Sequence, residues 1–345
     1  MSKRFVVLLL LLIAVVSTGG CGRPFRVVAE GDLTTRIRPD NSGSRLARWT
    51  LPGTPATGPA VAVIDVDGLL INHNLVGMQS LGENPVALFR EKLEAVAADP
   101  EVRAVVIRIN SPGGGVTASD IMRRELQRLK ERRQIPAVAC LVDVGAGGGY
   151  YLATAADLIV AHPTCVVGGV GVIFNAYNLQ DTLGQFNVVP LGVKAGEKID
   201  MASPVRGMEA EEREILQTIA DQMHERFRVA VRDSRPAAAV GDDELDGRVW
   251  AAEDALARGL VDATGYLDDA LAAAASAAGC GGRMRVVMYR RDNDRAHTPY
   301  DVTPNVPVEN NLLPLSIPGL ERSSMPNFLY LWQPDPSYWT RRGGP

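Results

Sequence analysis

From Ala60 to Ala278 the chain alternates between two apolar patterns. "VAVIDVDGLL" from Val61, "VRAVVIRINSPGG" from Val102, "PAVACLV" from Pro136 and "DLIVAHPTCVVGG" from Asp157 are compact apolar runs rich in β-branched residues. Such runs predict strands, and the nearly unbroken one from Val102 predicts a strand buried on both faces. Between them the apolar positions fall at helical spacing. "PVALFREKLEAVAADP" places Leu88, Leu93, Val96 and Ala97 on one side, and "TASDIMRRELQRLKERR" reads as a second helix. "MEAEEREILQTIADQMHERFRVAVR" repeats Ile215, Ile219, Met223 and Phe227 every four residues, a long amphipathic helix whose acidic first turns suit the helix dipole. "AAEDALARG" is a short helix stopped by Gly259. Strands alternating with helices predict parallel pairing through βαβ or ββα units, hence an α/β fold with a single main domain over residues 60–278.

The flanks read differently. Residues 22–59 are rich in Gly, Pro, Arg and Ser and predict a flexible linker. Residues 279–345 form a proline-punctuated extension whose aromatic end, Phe328-Leu329-Tyr330-Leu331-Trp332, is too apolar to hang in water. It is expected to be a strap packed on the domain or on a neighbouring subunit, with a membrane or peptide contact as the alternative. Residues 1–21 are a targeting segment: Lys3 and Arg4, an apolar run from Phe5 to Val16 too short to span a bilayer comfortably, then small residues before Cys21. This resembles a bacterial lipoprotein signal with Cys21 as the lipidated residue, although Thr18 stands where such signals usually carry Leu, Val or Ile. An ordinary secretory signal or an uncleaved anchor are the alternatives. The expected location is the periplasmic face of a bacterial membrane.

Composition bounds the chemistry. With 345 residues, 46% of them apolar, the chain can bury a sizeable core. A net charge of −4 offers no broad basic surface for nucleic acid. Cys140 and Cys165 sit in apolar runs, as core cysteines do. No CxxC, no His/Cys cluster at ligand spacing and four scattered histidines leave no metal or cofactor site to expect.

The candidate chemistry lies in two glycine-rich turns. "INSPGGGVTASD" closes a buried strand with Pro112 and three glycines and then opens a helix, a junction whose bare N–H groups can hold an oxyanion. "DVGAGGGYYLATAAD" from Asp143 makes a second strand-to-helix bend. Together with Gly247-Arg248-Val249-Trp250, these stretches resemble the signal peptide peptidase family of the protease IV type, membrane-associated serine peptidases with the Clp protease/crotonase fold. Asn110-Ser111-Pro112-Gly113-Gly114 matches the family's oxyanion turn N-S-P-G-G, and Asp143 to Tyr151 matches its nucleophile turn D-V-A-A-S-G-G-Y-Y. The resemblance implies an oxyanion hole at Gly113 and Gly114, a cleft that includes Asp143, Gly148 and Tyr150, peptides or signal-peptide remnants as ligands, and a homo-oligomer.

This chain departs from the pattern where the chemistry is done. The family's nucleophilic serine falls on Gly147, and its general-base lysine, in G-x-x-K-D-x-x-S-P, falls on Ile199. The family's T-G-S after the next strand is replaced by Val167-Gly168-Gly169. A Ser–Lys dyad needs a hydroxyl to attack and a neutral amine to take its proton, and glycine and isoleucine supply neither. Three readings follow: a catalytically degenerate member that binds peptides or assembles with relatives; a peptidase with a shifted dyad, Lys198 serving as base and Ser111, Ser203 or a water as nucleophile; and a crotonase-like oxyanion-hole enzyme with Asp143 as its carboxylate.

Overall fold

The computed structural model describes residues 45–73, 83–235, 241–280, 284–291, 294, 297–302 and 328–332. The targeting segment with Cys21, most of the linker and most of the C-terminal extension lie outside them. The apolar runs form β2 (Ala60–Leu70), β3 (Val102–Gly115) and β4 (Ala137–Ala146), which pair in parallel in that order. The intervening helical segments are α1 (Pro85–Ala98) and α2 (Val116–Arg133). α1 starts cleanly because the Asn84 side chain accepts from the N–H groups of Val86 and Ala87 and Pro85 occupies the first turn.

The expected strand over 157–169 is two strands. β5 (Leu158–Ala161) pairs with the first half of β4, the chain turns at His162–Thr164, and β6 (Val166–Gly168) pairs with the end of β4. Pro163 has no N–H to give the ladder, which interrupts the run there. Between β4 and β5 lies the short α3 (Gly148–Ala153); after β7 (Ile173–Phe174) come α4 (Gln180–Gln185) and the long helix α5 (Ala210–Ser234). β8 (Val249–Ala251), α6 (Ala252–Ala257), β9 (Ala263–Thr264) and α7 (Leu267–Ala277) complete the domain.

The sheet also reaches past the expected limits of 60 and 278. β10 (Arg285–Arg290) pairs in parallel with β2, and β1 (Ala47–Thr50), inside the expected linker, pairs antiparallel with β10. Among the described residues the sheet has eleven strands, with the order β1-β10-β2-β3-β4-β5-β9 along its main path. Both faces of its centre are covered. Ala62, Ile64, Ile107, Ile109 and Leu141 pack under α1, α2, α3 and α5, while their neighbours Val61, Val63, Val106 and Cys140 pack under α7. Alternate residues of the same strands thus enter different cores, which is why apolar residues stand at consecutive positions in these runs.

The last strand, β11 (Phe328–Leu331), comes from the aromatic end of the chain and inserts between β3 and β7, antiparallel to both.

Candidate active site

Because β3 and β4 are parallel neighbours, they deliver both glycine-rich turns to the same end of the sheet, with Ser111 beside Gly145. Ligand sites of open α/β sheets lie at this end. Gly147 forms the bend between β4 and α3 with φ 51° and ψ −126°, a conformation that an L-residue enters only with strain. Its N–H donates to the Gly168 carbonyl at 3.0 Å. The Gly168-Gly169 pair is therefore a direct neighbour of the bend, and a Cβ on Gly169 would lie 3.1 Å from Gly147 N. The two turns touch through backbone alone: a Cβ on Gly113 would lie 2.5 Å from Gly148 N, and one on Gly148 would lie 3.3 Å from Gly113 Cα. β8 supports this corner from behind, pairing antiparallel with β6, and the Arg258 guanidinium lies 3.7 Å over the Trp250 ring.

The chemically capable groups nearby are committed elsewhere. Ser111 is fully buried; its hydroxyl donates to Gly68 O at 2.6 Å and accepts from the Gly113 N–H at 3.1 Å. That amide, expected to serve an oxyanion, is spent on a side chain. Asp143 accepts from the Asn110 side-chain amide at 2.9 Å. Lys198 bridges Glu209 and Glu211 at the start of α5, 2.8 Å from each, and these two carboxylates hold its ammonium above the usual lysine range. Ile199 is 73% exposed. Ser203 lines a cavity of about 570 Å³ together with Ile173, Phe174, Tyr177, Arg206 and Met208. Among the described residues no three His, Cys, Asp or Glu side chains are grouped to hold a metal.

One cleft assignment needs correction. Tyr150 does not face the cleft: it is fully buried and its hydroxyl donates to Leu260 O at 2.7 Å, anchoring α3 to the domain. The next residue does the work expected of it. Tyr151 donates to Asp120 Oδ1 at 2.8 Å, and its ring meets Phe227 edge-on at 5.0 Å. Burial, reinforced by the Asp120 bond, pushes the Tyr151 phenol up to about 12.

β11 occupies the cleft. Leu329, Tyr330 and Leu331 lie opposite Gly115, Gly114 and Gly113, and the Trp332 N–H donates to Pro112 O at 2.9 Å. On the other side Phe328 and Leu329 pair with Phe174 and Ile173. Tyr330 is fully buried, its ring 5.1 Å from Tyr151 and 4.8 Å from Phe227, and its hydroxyl donates to Met223 O at 2.6 Å. Aromatic pairs of this kind contribute ~0.5–1.5 kcal/mol each beyond the area they bury. The aromatic end of the extension and the Phe227 stripe are both visible in the sequence; their meeting with Tyr151 is not.

A parallel sheet core with two glycine turns converging at its C-terminal end is the Clp protease/crotonase-type arrangement of a serine peptidase domain, and residues 129–281 match the Peptidase family S49 model. The chain belongs to the SppA-type serine peptidase family. It is 33% identical over 227 residues to Protease 4 of Salmonella typhi, covering 65% of this chain and 36% of that protein. It is 35% identical over 238 residues to the chloroplastic serine protease SPPA of Arabidopsis thaliana, covering 67% of this chain and 34% of that protein. Against Protease 4 of Haemophilus influenzae it is 28% identical over 234 residues, 66% of this chain and 35% of the relative. The chain thus spans about a third of the length of these relatives.

Proposed function

We propose that this chain is a catalytically degenerate member of its family that binds extended peptides in the cleft instead of cutting them. The observation that carries this reading is Gly147: the strained bend that should aim a nucleophile has no side chain, and the carbonyl of Tyr330 lies over it. Ser111 cannot substitute, since its hydroxyl is buried and bonded on both sides. Lys198 is held charged by two carboxylates, the wrong state for a general base. Removing the catalytic residues of a well-studied serine protease costs roughly six orders of magnitude in kcat.

The reading includes export and attachment to a membrane through a lipid on Cys21, with the linker as spacer. Among the described residues no helix is long and apolar enough to cross a membrane. It also includes assembly with further copies. Phe186, Leu191, Val193 and Ile199 are 75%, 89%, 104% and 73% exposed on the segment between β7 and α5, and so much apolar surface in one stretch favours a protein partner.

A fluorophosphonate probe tests the reading on the full chain. No serine should be labelled, and casein should stay intact. Labelling that maps to a cleft serine and falls on Lys198→Met would establish the shifted dyad instead.

A further inference from the structure

The cavity between β7, the 202–208 segment and the first turns of α5 is separate from the cleft. Neither glycine turn contributes to its lining. The shared wall is β7: Ile173 and Phe174 line the cavity and also pair with β11, with the Phe174 ring 4.9 Å from that of Phe328. At about 570 Å³ the cavity has the size of a small-ligand site, ~300–1,000 Å³.

Its walls divide by chemistry. Ile173, Phe174, Met208 and Leu216 offer apolar surface. No carboxylate lines it, and its two charged residues are Arg206 and Arg213. Arg206 is spent: its guanidinium donates to the carboxylates of Asp200 and Glu212 and to Gly207 O. The Arg213 guanidinium has no hydrogen-bond or ion-pair partner among the described residues, and neither have the hydroxyls of Ser203 and Tyr177. Arg213 can only donate, and the hydroxyls donate as readily as they accept. Such a lining suits a ligand with a negative, accepting end and an apolar body. The remaining polar groups distinguish a peptide from a bare acyl chain. The Asn178 side chain accepts from Gln180 N, which leaves its NH2 to donate, and the Gln217 side chain donates to Asp221, which leaves its carbonyl to accept. A peptide brings a carbonyl and an N–H to meet such groups, and an acyl chain brings neither.

We infer that this cavity is a second peptide site, which takes the free C-terminal carboxylate of a short apolar peptide on Arg213 and Ser203 and seats its last side chains against Ile173, Phe174 and Leu216. The carboxylate supplies the acceptor that both donors lack, and a hydrogen bond between a guanidinium and a carboxylate is about twice as strong as a neutral one. The inference stands apart from the cleft reading: it needs no opening of the cleft and no catalytic group.

The test uses the full chain and the peptide Ala-Leu-Val-Leu with fluorescein on its N-terminus, as the free acid and as the C-terminal amide, followed by anisotropy. The acid should bind, and the amide should bind about tenfold or more weakly, the loss of a hydrogen bond to a charged group. Arg213→Gln should bring the acid down to the level of the amide and leave the amide unchanged, because the two changes remove the same pair. Arg213 is exposed on α5, so the variant keeps the fold. Arg213→Lys should retain part of the difference between acid and amide. A benzophenone group in place of the valine side chain should cross-link to residues 173–178 or 202–217. Equal binding of acid and amide, no binding of the acid at about 1 mM, or a difference that survives Arg213→Gln would overturn the inference. Displacement of the peptide by an equal concentration of decanoate would also overturn it and assign the cavity to fatty acids. Cross-links confined to residues 110–115 or 145–149 would overturn this site while supporting peptide binding in the cleft. Cross-links confined to the cavity would support this site whatever the cleft does.

Discussion

The carbonyl oxygen of Tyr330 lies 2.5 Å from the point where Gly147 would carry a Cβ. Any side chain at position 147 therefore competes with the strand that fills the cleft. The Pro112 carbonyl, 2.7 Å from the same point, closes the other side. Both obstacles are backbone, so neither can swing away as a flexible side-chain tip could. Gly147→Ser should lower stability by about 1–3 kcal/mol through its positive φ and should release β11. Chemical denaturation measures the first effect and hydrogen exchange at residues 328–332 the second. Exchange as slow as in wild type would show that the strand does not lie against this bend. The same variant should stay unlabelled by a fluorophosphonate, because a hydroxyl without a base is not activated.

Lys198 sets the pH behaviour of that variant. Its ammonium is bonded first to Glu209 and then to Glu211, which raises its pKa above the ordinary lysine value. A raised folded-state pKa means that the stabilisation is fully present below the unfolded lysine value of about 10.4 and is lost as pH rises through the folded value. Between pH 6 and 9, then, Lys198 stays charged and Gly147→Ser should gain no labelling as pH rises. Side-chain NMR of Lys198 should show no titration in this window, and Glu209→Gln with Glu211→Gln should bring its midpoint down.

The two adjacent tyrosines should separate structure from docking. Tyr150→Phe removes the donor to Leu260 O and should cost about 1 kcal/mol of stability, with exchange at 328–332 unchanged. Tyr151→Ala removes a wall of the Tyr330 pocket and should speed exchange there. Identical effects of both variants on the tail would mean that the pocket is not formed by Tyr151.

Cys21 should carry the membrane attachment. Palmitate should label the wild-type chain expressed in a bacterium and should not label Cys21→Ala. Equal labelling, or none in either, would remove the anchor.

The sequence by itself determined the centre of this molecule. The largely apolar runs of β2 and β3 point to strands covered on both sides, and the four-residue repeat ending at Phe227 to a helix with one buried face. It also determined that the bend at 147 has no nucleophile, because a missing side chain is visible without coordinates. What the tertiary structure decided was which groups meet. β1 at the sheet's edge and β10 beside it are short strands whose partners lie far away in the chain, so no local period announces them. Pro163 split one apolar run into two strands with different stretches of the same partner. Of two neighbouring tyrosines on α3, Tyr150 turns into the core and Tyr151 toward the cleft, since adjacent residues on a helix point about 100° apart and only the packing around the helix says which side is which. Above all, Tyr330 and Gly147 are far apart in sequence. Their contact depends on an apolar end finding an unpaired edge and an empty pocket, a three-dimensional complementarity that neither segment carries alone.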